Sequence, residues 1–437
     1  MSLTALLFIL VFLAGLVLSL FRSPVFGLYT YIAVFYLDAP GRWWGADLPS
    51  FRWSMVAAGV TFLSVLLHKK PSVRVGMMGN KPILLFLIYV IWMWIQLPWA
   101  VSPAEHQYGV TLFTKYLIVI FLIYTVIDTK QRMLEFLFAH SMGCFYLGVL
   151  AYTSYTGGRL DGVGGPGIND ASSLGMQLST GAVAAATVFF AEKRKYRWLA
   201  AASLPFILNA VVMTGSRGAF LALLAGGVVF LFFRPKGQTS FALLSAIAGL
   251  SLFAYMANDA FWARMSSIDN VVENRSEVDK STETRLVVIR KQLEMVKAYP
   301  FGAGHKGTAA LSYQYIDEEY QSRGAGRGRS SHNTIMSSLV DQGIPGIIIW
   351  LWIWLSLASK SLSIRKWCHV SERKEECWLN AGISGGLAVI FVAGMFSPQI
   401  KAESFVWYIA LLCSLFQLSE IMHPSLRPLV NTATSSR

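Results

Sequence analysis

Residues 239–257 read TSFALLSAIAGLSLFAYMA, a run without a single charge. At 1.5 Å per residue, a helix of that length covers about 28 Å, close to the ~30 Å hydrocarbon core of a bilayer. A long polar stretch rich in arginine follows at 258–333, and residues 334–358 turn apolar again. Outward in both directions, similar runs fall at about 3–20, 24–37, 53–67, 82–98, 109–127, 131–153, 171–190, 196–214, 217–233, 379–397 and 403–420. Of the 437 residues, 54% are hydrophobic and only 14% charged, against roughly 25% charged in soluble domains. Transmembrane β-barrels read instead as segments of ~10 alternating residues. The chain is therefore expected to be an all-α integral membrane protein. It divides into an N-terminal bundle (1–257), one large outer loop (258–333), and C-terminal spans with a tail (334–437).

The net charge of +13 has a location that explains it. Basic residues gather in short breaks between apolar runs: Lys69, Lys70, Arg74 and Lys81; Lys193, Arg194, Lys195 and Arg197; Arg234 and Lys236; Arg365, Lys366, Arg373 and Lys374. That is the positive-inside pattern, not a nucleic-acid footprint, so no nucleic-acid partner is expected. It puts 68–81, 128–131, 191–195, 234–238 and 359–378 in the cytoplasm. Loops 38–52, 99–108, 154–170, 214–216, 258–333 and 398–402 then lie outside. Thirteen full spans put the N-terminus outside and twelve put it inside. The first two runs are joined only by Phe21-Arg-Ser-Pro24, so about 12 transmembrane helices are expected. The first run lacks a basic leader and a small-residue cleavage site and reads as retained. The four cysteines are scattered, which gives no disulfide framework or metal-ligand spacing.

Three outer elements carry the candidate chemistry. Thr214-Gly-Ser-Arg217-Gly218 places Arg217 at the outer end of a span. There it either snorkels or clamps an anion between glycines and hydroxyls. Residues 283–298 read as an amphipathic helix with Leu286, Ile289, Leu293 and Val296 on one stripe. The helix carries Arg285 and Arg290 and ends at Pro300-Phe-Gly302-Ala-Gly304-His-Lys306. Glycines beside basic groups suit a diphosphate, although a capped helix with a solvated basic face reads the same way. A second helix is expected at 308–321. Ser331-His332-Asn-Thr opens the next span, kinked about three turns on by Gly343 and Pro345. A histidine there is able to accept a proton near neutral pH. Arg159 and Lys115 are lesser candidates for the same ligand. Asp317-Glu-Glu319 reads as a solvated face, so no metal and no cofactor are expected.

The order of these motifs, from Thr-Gly-Ser-Arg-Gly through Glu283-Thr-Arg285 and Pro300–Gly304 to Ser-His-Asn and Asp341-Gln-Gly-Ile-Pro-Gly346, resembles the O-antigen ligase superfamily over roughly residues 150–400. The resemblance implies a GT-C-like bundle with one large periplasmic loop, in the bacterial inner membrane. It implies transfer of O-antigen from undecaprenyl diphosphate to a sugar hydroxyl of lipid A–core, without a metal and with inversion. His332 and Arg217 match the family's catalytic positions. Arg285 and the Pro300–Gly304 turn match its basic loop segment, with Arg159, Arg290, Gly302, Gly304 and Lys306 added as diphosphate contacts. An O-antigen polymerase and a protein O-oligosaccharyltransferase use the same donor and stay open. Polymerases of this kind carry two arginine-rich loops, and one dominates here. Arg323, Arg327 and Arg329 align with no pattern.

Overall fold

The computed structural model describes residues 1–68, 76–192, 196–266, 280–317 and 332–422. Its α-helices are α1 (Leu3–Phe21), α2 (Pro24–Leu37), α3 (Trp53–Leu67), α4 (Lys81–Ile95), α5 (Pro103–Val126), α6 (Lys130–Ser154), α7 (Ala171–Ala191) and α8 (Tyr196–Thr214). They continue with α9 (Arg217–Phe232), α10 (Thr239–Met256), α11 (Asp259–Ser266), α12 (Lys280–Ala298), α13 (Gly307–Tyr315), α14 (Thr334–Val370), α15 (Lys374–Gly394) and α16 (Glu403–Met422). No strand occurs among the described residues. Among the described residues, eight helices are long and apolar enough to cross a membrane, and four shorter apolar ones, α3, α4, α9 and the start of α16, accompany them. The expected runs all emerge as helices.

The bundle is built around α7 and α15, each 83% buried along its most apolar window, whereas α10 at 11% lies at the periphery. Small residues allow the close approach. A Cβ on Gly226 of α9 would meet Val389 at 2.5 Å and the Gly385 carbonyl at 3.1 Å. Such contacts replace hydrophobic driving force where lipid is the solvent.

Three expectations need correction. Helix α14 runs to Val370, so residues 359–370 are helical rather than loop, and α15 already starts at Lys374. Helix α13 stops at Tyr315, and 318–321 lie outside the described residues. The buried stripe of α12 is Val288, Gln292 and Met295, while Leu293 is 46% exposed. The buried face lies one residue back from the expected stripe, because Gln292 turns inward with Val288 and Met295. Lys115, for which the sequence allows either contact with the ligand or snorkelling, is exposed on α5, as the second of these requires.

The expected kink is present as a full break. Gly343 has φ 68° and ψ −172° inside α14, a conformation essentially confined to glycine. Turning the chain there frees the carbonyls of residues 340–342 from the helical ladder, and they accept bonds from elsewhere.

Candidate functional site

Three helix N-termini meet at one end of the bundle, each capped by its own side chain as the sequence dictates. Asp170 accepts from the Ser172 and Ser173 amides at α7, and Ser216 from Ala219 at α9. Asn333 accepts from Ile335 and Met336 at α14. The segment joining α15 to α16 ties them together. The Thr334 hydroxyl donates to the Ser397 carbonyl at 3.2 Å and accepts from the Gln399 amide at 2.9 Å. The Gln399 side chain donates to Ser173 Oγ at 3.3 Å, and the Asn333 side chain to the Met395 carbonyl at 3.4 Å. Phe396 lies so close to Gly218 that a Cβ there would sit 2.5 Å from its own. Arg217 and His332, remote in sequence, thus border one short segment at the same end of the molecule. His332 is exposed and holds the left-handed φ of 54°. That turn sets it just outside α14.

The arginines converge on the Thr214 turn. Arg159 Nε donates to the Thr214 carbonyl at 3.3 Å and its Nη2 to Ser172 Oγ at 3.0 Å. Its loop is braced from behind by Arg42, which donates to the Leu37 and Val163 carbonyls at 3.0 Å each. Arg217 is half-buried at the first position of α9. A third guanidinium, Arg264 of α11, lies beside Gly215, its Cδ 3.5 Å from where a Cβ would be. Desolvation first, then the charges of Arg159 and Arg217, hold Arg264 below its ordinary pKa. Among the described residues no carboxylate pairs with Arg159 or Arg217. Three guanidinium groups drawn together make this turn a candidate anion site. Sequence reasoning missed Arg264, because a single arginine in Asp-Ala-Phe-Trp-Ala-Arg carries no local signal of its position.

The Pro300–Lys306 segment docks into the α14 break instead. Ala303 and Gly304 amides donate to the Val340 and Asp341 carbonyls at 2.9 and 2.8 Å, and the Ile344 amide to Pro300 at 2.9 Å. Gln96 and Trp99 donate to the Phe301 and Gly302 carbonyls, and Trp92 to Gln342. Gly302 and Gly304 have φ of 89° and 86°, and a Cβ on Gly302 would lie 2.5 Å from the Gln342 backbone. Their amides are spent on Tyr299 and Asp341, so here the glycines seat the turn. Lys306 pairs with Glu105 at 2.8 Å. Arg290 is exposed on α12, and the side chain of Arg285 falls outside the described residues, as do Arg323, Arg327 and Arg329. The structure therefore gathers Arg159, Arg217 and Arg264, places His332 at the same end across the 395–397 segment, and sets Gly302, Gly304 and Lys306 in a neighbouring assembly at the α14 break.

Residues 201–351, which run from α8 through both assemblies to the far side of the Gly343 break, match the family model described as O-antigen ligase. The match supports an O-antigen ligase-family protein. Among curated proteins no match is found. The same match supports a ligase- or polymerase-like function of the glycosyl-transfer type on lipid-linked glycan substrates and, with the apolar helices, a multi-pass membrane protein. The matched stretch contains Arg217, Arg264 and His332, whereas Arg159 reaches the arginine cluster from outside it.

Proposed function

We propose that the chain transfers O-antigen from undecaprenyl diphosphate to a sugar hydroxyl of lipid A–core, at the periplasmic face of the inner membrane. The observation that carries this reading is the cluster of Arg159, Arg217 and Arg264 beside the His332 end of α14. A diphosphate is already a good leaving group, so it needs positive charge rather than an acid. Guanidinium groups supply charge and paired donors without a metal. The acceptor oxygen attacks the anomeric carbon while the bond from that carbon to the diphosphate oxygen breaks. The electron pair leaves with the diphosphate, and the hydroxyl proton passes to the imidazole of His332 and then to water. A single displacement inverts the anomeric centre. Exposure of His332 suits a base that meets a large acceptor, and the apolar helices beneath leave lipid tails in the bilayer.

The test is transfer by purified protein from lipid-linked glycan to lipid A–core, to a second lipid-linked glycan, and to a pilin-like protein. Product on lipid A–core alone, unchanged by chelator, is expected. Product on the second lipid-linked glycan alone would make the chain a polymerase.

A further inference from the structure

Beneath the docked turn lies a cavity of about 650 Å³. Its walls are α4, α5, the 305–313 segment, the first turns of α14 and residues 398–401. Five residues that line it each carry a buried polar atom without a hydrogen-bond partner: Tyr89 Oη, His305 Nε2, Ser337 Oγ, Ser338 Oγ and Gln342 Oε1. All five residues are buried. An orphaned buried polar group carries the full cost of its desolvation, and native proteins hold only a few per hundred residues. Gathering five on one cavity makes sense if something that donates and accepts many hydrogen bonds enters it.

The chemistry of the walls narrows that ligand. Two carboxylates border the space. Asp341 is held by the Lys306 and Thr308 amides and the Thr308 hydroxyl, and Glu105 is paired with Lys306. Lys306 and Lys401 line the same space, so two carboxylates and two ammonium groups balance and leave no net charge to draw a phosphate. Phe113 and Tyr313 contribute ring surface, which suits the C–H face of a pyranose. The volume falls in the usual range for small-ligand pockets, about 300–1,000 Å³. The position matters too. Ser337 and Ser338 follow His332 by little more than one turn of α14. Pro398, Ile400 and Lys401 continue the segment that Asn333 and Thr334 grip on the side facing Arg217.

We infer that this cavity is a sugar subsite, taking a neutral, hydroxyl-rich ring, and that in the transfer proposed above, on which this assignment to the acceptor rests, it holds the acceptor sugar. The tyrosine and serine hydroxyls and the Gln342 amide oxygen read the ring's hydroxyls, and the arginines across the shared wall are left to the diphosphate.

The experiment uses full-length protein in lipid nanodiscs and saturation-transfer NMR with the methyl glycosides of glucose, galactose, N-acetylglucosamine and a heptose. Three proteins are compared: the natural chain, Tyr89→Phe/Ser337→Ala/Ser338→Ala, and Arg217→Ala. The triple variant deletes only orphaned hydroxyls, so its fold should persist; Tyr89→Phe alone serves if it does not. At least one glycoside is expected to bind the natural chain and Arg217→Ala alike, and to lose at least about fivefold in affinity in the triple variant, the worth of one net hydrogen bond. In transfer assays the same variant should raise the acceptor KM with the donor KM unchanged. Absence of glycoside binding to the natural chain, or equal binding by the triple variant, overturns the subsite. Full transfer activity in Arg217→Ala would overturn the proposed function, while the binding result would still decide the cavity.

Discussion

At the scale of single residues the arrangement makes unequal demands on its basic groups. Arg217→Ala should lower turnover roughly a hundredfold or more, the usual cost of one donor aimed at developing charge. Arg264→Gln should weaken donor KM by about tenfold, since hydrogen bonds to charged groups contribute about 1.5–3 kcal/mol. Steady-state kinetics on purified variants separate the two, and an unchanged donor KM in Arg264→Gln would remove that residue from the site. His332→Ala should lose about a hundredfold or more in turnover, with the donor KM kept. His305 behaves oppositely. Burial first, then Lys401, Lys306 and His106, with Glu105 opposing them, push its pKa down to about 4. The folded state favours the neutral ring, so its contribution to stability is complete above the unfolded value near 6.5 and is lost as pH falls through 4. Thermal melts should therefore drop between pH 6.5 and 4, by at most about 3 kcal/mol from this group, and His305→Gln should flatten that part of the profile. An identical pH profile in the variant would show that the ring is already solvated.

At the scale of elements, the break in α14 is the most constrained feature. A Cβ on Gly343 would lie 2.4 Å from the Gly302 nitrogen and the Phe301 carbonyl carbon, in a conformation that costs other residues of order 1–3 kcal/mol before any clash. Gly343→Ala should unseat the Pro300–Lys306 turn, seen as faster proteolysis within 280–317 and a lower melting temperature. Unchanged cleavage would refute the docking argument. The helices themselves were legible in the sequence, because each apolar run must satisfy its backbone internally in lipid. The boundaries near charge were not. Helix α14 continues past Ala358 through Arg365 and Lys366, since basic residues at a helix C-terminus are favourable and do not stop it. Arg217 and His332 could be singled out from their motifs, whereas Arg264 owes its place to packing over Gly215. The orphaned polar atoms of the cavity are properties of assembly alone, spread over α4, α14 and the docked turn.

At the scale of the whole molecule, the buried state of all four cysteines leaves low background for a labelling test of sidedness. Thr156→Cys and Lys236→Cys replace exposed positions on the two sides expected from the basic loops. An impermeant maleimide should modify the first in intact cells and the second only after permeabilisation, and the reverse pattern would invert the proposed orientation. The loop's own small core comprises Val288 and Met295 of α12, Ala303, Leu311, Ile316 and, from α14, Val340. Its turn closes on the carbonyls of that same helix. The arginine-rich region is consequently not a portable part. Cut out as a water-soluble fragment spanning 258–333, it would lose the surface that completes it and should give the circular dichroism and dispersion of an unfolded chain. Chimeras that exchange specificity between relatives will need to carry the outer half of α14 and the α4–α5 connection along with it.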